Sequence, residues 1–152
     1  MPPFQAFMDS HRDEVWRFLC AVAGAEEAED CFQETFLAAL RAYPRLQDAS
    51  NLKGWVMTIA FRKAMDAHRV KRSRARPVES VPDAAVFDGQ LHDAELWKAV
   101  KRLPPMQRAA VAHRYVNDLA YKDIADVLEC SEDSARQNVR LGLRRLKEVL
   151  SE

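Results

Sequence analysis

The sequence of 152 residues is poor in glycine and cysteine, has no excess of either charge and contains no long apolar run. Only four glycines, with 48% apolar residues, exclude collagen-like and low-complexity chains, so the sequence predicts a folded protein. Three cysteines at positions 20, 31 and 130 form no Cys-x-x-Cys pair. We interpret them as reduced packing residues, since an odd and widely spaced set suits neither a disulfide framework nor a zinc site.

Several sequence signals for membranes, secretion and catalysis are also absent. No window approaches the roughly 18 consecutive apolar residues of a membrane helix, and the amino terminus lacks the order of a secretory signal. We therefore expect a cytoplasmic protein without membrane insertion. None of the four histidines belongs to a His-x-x-x-His pair, and no nucleophile elbow or glycine-rich phosphate loop occurs. The sequence thus predicts a protein that is not an enzyme and has no catalytic residue, cofactor or metal site.

The charge of the chain is balanced overall, with 23 basic and 23 acidic residues, but it is unevenly distributed. Residues 69–76 hold five basic side chains and no acid, and residues 134–147 again hold five bases without an acid. Two separate basic patches favour two contacts with a polyanion. The alternative is that both patches are solvated helix faces.

Apolar residues recur every three or four positions along almost the whole chain, which predicts an all-α protein. One predicted helix ends near Gly24. A second carries an apolar stripe that runs to Leu40 and Tyr43, and a third begins near Leu52 after a run of capping residues. These three helices predict a first domain at residues 1–73.

A second small helical domain is predicted at residues 91–152. A flexible linker at residues 74–90, where two prolines interrupt the periodicity and the charge changes sign, is expected to join the two domains. The last third of the chain has the pattern of a helix-turn-helix, with helices from Tyr121 to Leu128 and from Glu132 to Leu150. We expect the second of these helices to turn four residues inward: Val139, Leu143, Leu146 and Leu150.

In a helix-turn-helix, the first turns of the second helix enter the major groove of DNA. The candidates for contacts with duplex DNA are therefore Asp133, Ser134, Arg136, Gln137 and Arg140. Arginine can pair with guanine and glutamine with adenine, so these residue types suit the role. A helical hairpin that closes a bundle would show the same spacing and is the alternative.

Three segments, in this order, resemble one protein family. Residues 28–37 (A-E-D-C-F-Q-E-T-F-L) are similar to an Asp-x-x-Gln-Glu-x-Phe signature, and residues 55–66 (W-V-M-T-I-A-F-R-K-A-M-D) precede a basic tail. Residues 119–146 begin L-A-Y-K-D-I-A-D-V-L and end L-R-R-L, as in a terminal DNA-binding motif. Together they resemble the extracytoplasmic-function (ECF) sigma factors, two-domain initiation factors of bacterial RNA polymerase.

This resemblance implies three sets of functional residues and their partners. Contacts with the clamp of the largest polymerase subunit are implied for Asp30, Gln33, Glu34, Phe36 and Leu37. Contacts with the melted promoter element are implied for Trp55, Arg62, Lys63, Asp66 and Arg69. The resemblance also implies that Arg114 contacts duplex DNA, that the second domain meets the polymerase flap, and that an anti-sigma factor binds the protein. From the residues alone, core packing is the preferred explanation of Phe36, Leu37 and Trp55.

The sequence departs from the family pattern at two positions that bear on these expectations. Arg62 stands where many members carry asparagine, and Glu129 replaces a frequent glycine in the turn. Two further acids open the second helix of the motif, where they favour the helix dipole but repel phosphates. Two rival hypotheses therefore remain: a stand-alone dimeric helix-turn-helix regulator, and a sigma mimic that sequesters an anti-sigma factor.

Overall fold

The computed structural model describes residues 1–73 and 94–151, here called the first half and the second half, and all regular structure in them is helical. The elements are α1 (Phe4–Ala42), a short 3-10 helix (Tyr43–Arg45), α2 (Leu52–Ser73), α3 (Ala94–Arg102), α4 (Pro105–Tyr115), α5 (Tyr121–Leu128) and α6 (Glu132–Leu150). The all-α prediction is confirmed. The predicted linker at 74–90 lies outside the described residues, and the domain boundaries stay predictions. Within the two described ranges, no helix is both long enough and apolar enough to cross a membrane.

Helix α1 has a kink at Gly24, which divides it into two segments. The φ angle of Gly24 is 82° and its ψ angle is 164°. Glycine reaches this region because it has no Cβ, whereas other residues would be strained there. The bend stands where the sequence predicts a helix end, so the first two predicted helices are the two segments of α1.

Side-chain caps fix the starts of two helices as the sequence predicts. Asn51 Oδ1 accepts a hydrogen bond from the backbone N–H of Gly54 at 3.0 Å, at the start of α2. Ser131 Oγ accepts one from the backbone N–H of Ser134 at 3.0 Å, at the start of α6. Both bonds satisfy an amide that has no partner within its helix. The turn of the helix-turn-helix therefore ends at a defined residue.

An aromatic cluster holds the start of α1 against its end and against α2. The ring of Phe7 is 1% exposed and lies 5.2 Å from Tyr43, 5.7 Å from Trp55 and 6.5 Å from Phe36, measured between centroids. Phe4 completes the cluster at 5.6 Å from Phe7. Aromatic pairs at these distances stabilise a core beyond their buried area. These contacts pack the two ends of α1 and the start of α2 into one cluster.

The two halves pack against each other, and the larger of two clusters of buried apolar residues includes side chains from both. The rings of Phe18 on α1 and His113 on α4 stack 4.0 Å apart with an interplanar angle of 9°, and neither is exposed. Helix α5 also packs on α2. The second half consequently shares part of its core with the first half.

Buried polar side chains also join the two halves. Arg108 on α4 is 9% exposed, and its Nη1 donates to the carbonyl oxygen of Val22 at 2.6 Å while Nη2 donates to Leu103 at 3.1 Å. Burial lowers the pKa of this guanidinium. Asn117 Nδ2 donates to the carbonyl oxygen of Glu14 at 3.3 Å. Polar side chains from the second half thus donate hydrogen bonds to backbone carbonyls of α1.

The inward face of α6 differs from the predicted one. Val139 and Leu146 are buried as expected, but Leu143 is 38% exposed and Leu150 is 42% exposed. The leucine spacing is misleading because small residues, Ala135 and Gly142, form the rest of the buried stripe. Leu40 on α1, also expected inward, is 50% exposed.

The small residues of α6 are required because α4 approaches closely. A Cβ built on Gly142 would lie 2.6 Å from Cγ2 of Val111, well inside the contact distance of two carbons. Glycine therefore allows α4 and α6 to pack at a distance that a leucine seam would prevent.

Candidate polymerase and nucleic-acid interfaces

The second segment of α1 presents a polar face with apolar anchors. Asp30, Gln33, Glu34 and Leu37 are exposed and follow one another at helical spacing, so they share one face. Leu37 is 51% exposed. Phe36, placed in the same set by the sequence, is 6% exposed, because its ring packs into the core. Four of the five candidates thus share one exposed face, whereas Phe36 is buried beneath this face in the core.

Leu40 extends this α1 face and was not recognised from the sequence. It follows Leu37 by three residues and is 50% exposed. Two neighbouring exposed leucines beside carboxylates are unusual on a free surface and resemble the apolar centre of a protein interface. The only sequence signal for Leu40 is its spacing of three residues from Leu37. Leu40 also fits the apolar stripe of the second predicted helix, and the sequence therefore predicts it to be buried.

The cysteines of the first half are buried packing residues. Burial raises the pKa of the Cys20 thiol to about 12, with Lys101 acting weakly in the opposite direction. Burial, followed by nearby carboxylates of which Glu34 is the first, raises the pKa of Cys31 to about 11. A thiol that stays protonated at neutral pH is a poor nucleophile and metal ligand, so both residues fit the predicted packing role.

Helix α2 carries a second exposed face. Arg62, Asp66 and Arg69 are exposed at successive turns, and Arg69 forms an ion pair with Asp66. Lys63 is half-buried at the side of this face, and Trp55 packs in the aromatic cluster with part of its ring accessible. The structure therefore groups three of the five residues implied for melted DNA and separates the other two.

One residue of the α2 face contacts the helix-turn-helix. Arg62 Nη2 forms an ion pair with Glu129 Oε1, and the two side chains are 63% and 59% exposed. Glu129 ends α5 in the left-handed conformation, with φ of 56° and ψ of 46°. Both positions depart from the family pattern, so these two departures meet in space. The pair links α2 to the turn between α5 and α6.

The first turns of α6 form a third exposed face, which suits duplex DNA. Asp133, Arg136, Gln137 and Arg140 are exposed, whereas Ser134 is half-buried beside the helix cap. Arg140 donates to Gln137, and Arg136 Nη2 lies 2.7 Å from the carboxylate of Glu132. The acids at the helix start are therefore partly neutralised by Arg136.

Arg114 reaches this α6 face from another helix. It lies on α4, and its Nη1 donates to the carbonyl oxygen of Leu119 at 3.0 Å. The ring of Tyr121, at the start of α5, lies close to the guanidinium groups of both Arg114 and Arg136. Both arginines are predicted from the sequence, but the tyrosine is not, because a single aromatic residue at a helix start belongs to no motif. In the described ranges, no group of three potential ligands is placed to hold a metal ion.

Comparisons with known proteins agree with this geometry. The family model for sigma-70 region 2 matches residues 7–74, and that for sigma-70 region 4 matches residues 93–146. The ECF RNA polymerase sigma factor SigC of Mycobacterium tuberculosis is 30% identical over 141 residues, which cover 89% of this chain and 76% of SigC. The chain belongs to the ECF sigma factors of the sigma-70 family.

Further ECF sigma factors are similar over nearly the whole chain. CarQ of Myxococcus xanthus is 30% identical over 159 residues, covering 98% of this chain and 90% of CarQ. The sigma factor RpoE of Bartonella quintana, solved with the anti-sigma factor NepR, has a TM-score of 0.83 at 25% identity, over 97% of this chain and 96% of RpoE. CnrH, solved with the cytosolic domain of CnrY, shares the fold at a TM-score of 0.76 and 17% identity, over 97% of this chain and 87% of CnrH. Sigma factors direct RNA polymerase to promoters as initiation factors and are not enzymes.

Proposed function

We propose that this ECF sigma factor binds core RNA polymerase, directs it to specific promoters and assists in melting them. The α1 face with Asp30, Gln33, Glu34 and Leu37 would bind the clamp of the largest subunit. The α2 face would bind the melted element, the α6 face would read the upstream duplex, and the second half would meet the flap.

The observation that carries this proposal is the exposed α6 face. Arg136, Gln137 and Arg140 stand on the second helix of a capped helix-turn-helix, at the turns that enter the major groove. Their side chains suit guanine and adenine, and Arg114 adds a guanidinium from α4 that suits a backbone phosphate. Because the chain carries 23 basic and 23 acidic residues, it would release few counterions alone, and polymerase would supply much of the affinity.

The α2 face supports the melting role. Arg62 and Arg69 are exposed cations that could clamp phosphates of a single strand, and Asp66 between them could accept a hydrogen bond from a base. Trp55 would act chiefly by supporting this helix, since its ring packs on Phe7. An anti-sigma factor is a further expected partner, because the related RpoE of Bartonella quintana was solved with one.

Run-off transcription on a fragmented genomic library, with purified core polymerase and the full chain, tests the proposal. We expect discrete start sites that weaken about 5- to 150-fold with Arg136→Ala, from the loss of one bidentate contact. Arg145→Ala is the matched control, because Arg145 is exposed on the opposite face of α6. Asp30→Ala with Gln33→Ala should weaken binding to core polymerase without changing start-site choice.

The same experiment separates the rival hypotheses. If no discrete transcript forms on any fragment, the proposal is wrong. Binding to an anti-sigma factor without binding to polymerase would then identify a sigma mimic. Specific binding of a free dimer to a two-fold operator, with no effect of core polymerase, would identify a stand-alone regulator.

A further inference from the structure

One aromatic ring connects two of the candidate DNA-contacting arginines. The Cζ atom of Arg114 lies 4.5 Å from the centroid of the Tyr121 ring, and that of Arg136 lies 5.1 Å from it. Both distances are within the range of a cation–π interaction. The three residues lie on three different helices, α4, α5 and α6, so the ring joins side chains of two other helices.

The other contacts of the two arginines do not hold them together. Arg114 donates to the carbonyl oxygen of Leu119 at 3.0 Å, within its own helix–turn region. Arg136 is near the carboxylates of Glu132 and Asp133, at 2.7 Å and 3.7 Å, within its own helix. A guanidinium that lies over a ring keeps its N–H donors free at its edge, whereas one that binds a carboxylate spends them. The ring itself therefore uses none of the N–H donors of either arginine, while Glu132 and Asp133 face donors of Arg136 that DNA would have to take over.

Tyr121 also belongs to the surface that would face DNA. It is half-buried, and it lines a shallow depression together with Asp133, Arg136, Gln137, Val139, Arg140 and Leu143. Five of these six neighbours are on α6 within its first nine residues. The ring of Tyr121 thus lies beside the exposed candidate residues of α6.

We propose that Tyr121 is a positioning residue for duplex DNA: its ring holds Arg114 and Arg136 at a fixed separation, so that α4 and α6 engage one DNA segment together. The inference rests on the proposed function. Ordering a long side chain on binding reduces affinity about 2- to 10-fold. Because the ring already orders both arginines in the free protein, part of this reduction is avoided. Loss of the ring is expected to weaken binding about tenfold.

The test uses the full chain with core polymerase on a promoter duplex found by run-off transcription. Affinity is measured by fluorescence anisotropy for Tyr121→Phe, which keeps the ring, and for Tyr121→Leu and Tyr121→Met, which remove it. We expect the Phe variant to bind within about twofold of the parent, and the Leu and Met variants to bind about tenfold more weakly. Tyr115→Leu is the matched control, because Tyr115 is a 60% exposed tyrosine at the end of α4.

A double-mutant cycle separates positioning from a structural role. With Arg114→Ala and Arg136→Ala both present, Tyr121→Leu should cause no further loss of affinity, because no guanidinium is left to position. Equal losses in both backgrounds would overturn the inference, as would parent-like binding by both ring-less variants or a loss by Tyr121→Phe as large as that by Tyr121→Leu. Failure of the parent protein to direct transcription would instead overturn the proposed function, and this is measured first.

Discussion

Acid should destabilise this protein through one histidine at the contact between its halves. His113 is fully buried, and neither ring nitrogen has a hydrogen-bond partner among the described residues. One face of its ring stacks on Phe18 at 4.0 Å. Burial, with a smaller repulsion from Lys53, lowers the pKa of His113 to about 3 from its ordinary 6.5. The folded protein therefore keeps this imidazole neutral at every pH near neutrality.

The sign and size of the effect follow from proton linkage. Below pH 6.5 the unfolded chain binds a proton at His113 that the folded protein does not bind, so acid favours unfolding. The contribution of the neutral His113 to the free energy of unfolding is fully present above pH 6.5. It decreases as the pH falls from 6.5 toward 3. The loss is about 1.4 kcal/mol per pH unit, or about 2 kcal/mol between pH 6.5 and pH 5. This is a large part of the 5–15 kcal/mol typical of a domain.

Urea unfolding of the parent and of His113→Leu, followed by far-UV circular dichroism at pH 7, 6 and 5, measures this effect. Leucine has a similar volume, cannot ionise and leaves no buried nitrogen unsatisfied. We expect the free energy of unfolding of the parent to fall about 2 kcal/mol more than that of the variant between pH 7 and pH 5. The pKa of His11 is also lowered by burial, but His11 is present in both proteins and its effect cancels. Parallel losses in parent and variant would refute the reasoning.

Three further substitutions test the packing, each by chemical denaturation. Gly142→Ala should destabilise the protein by about 1–3 kcal/mol, because its Cβ would lie 2.6 Å from Val111, and Val111→Ala should recover part of the loss. Arg108→Met should cost about 1–3 kcal/mol by removing the two buried hydrogen bonds from Arg108 to the carbonyls of Val22 and Leu103, whereas Arg102→Met, at an exposed site on α3, should cost almost nothing. Ser131→Ala should cost about 1 kcal/mol through loss of the α6 cap, and an unchanged value would contradict the capping role.

The elements of this fold were predictable because their signals are local. Helical periodicity, the caps at Asn51 and Ser131, and the bend at Gly24 each depend on residues close in sequence. The helix-turn-helix and its exposed candidates follow from the same local pattern. The family resemblance supplied what spacing could not, namely the separate roles expected of α1, α2 and α6.

The contact between the halves was not predictable from sequence, because each partner lies far along the chain. Arg108, His113 and Asn117 are polar residues of ordinary helical segments, and nothing near them signals burial. Their burial follows only from contacts with α1, whose contacting residues lie 86 to 103 positions earlier in the chain. The same limit applies to α6, where leucine spacing pointed to Leu143 and the close approach of α4 selected Gly142 instead.

The stacked pair of Phe18 and His113 has a consequence for how this protein can be dissected. Cutting the chain between the halves would expose the Phe18 ring to water and leave the Val22 carbonyl without its donor from Arg108. Each fragment would then expose an apolar surface that the other fragment buries in the intact chain. Separately produced halves should therefore bind each other in solution. A substitution at the contact in either half should change the melting temperature of the complex.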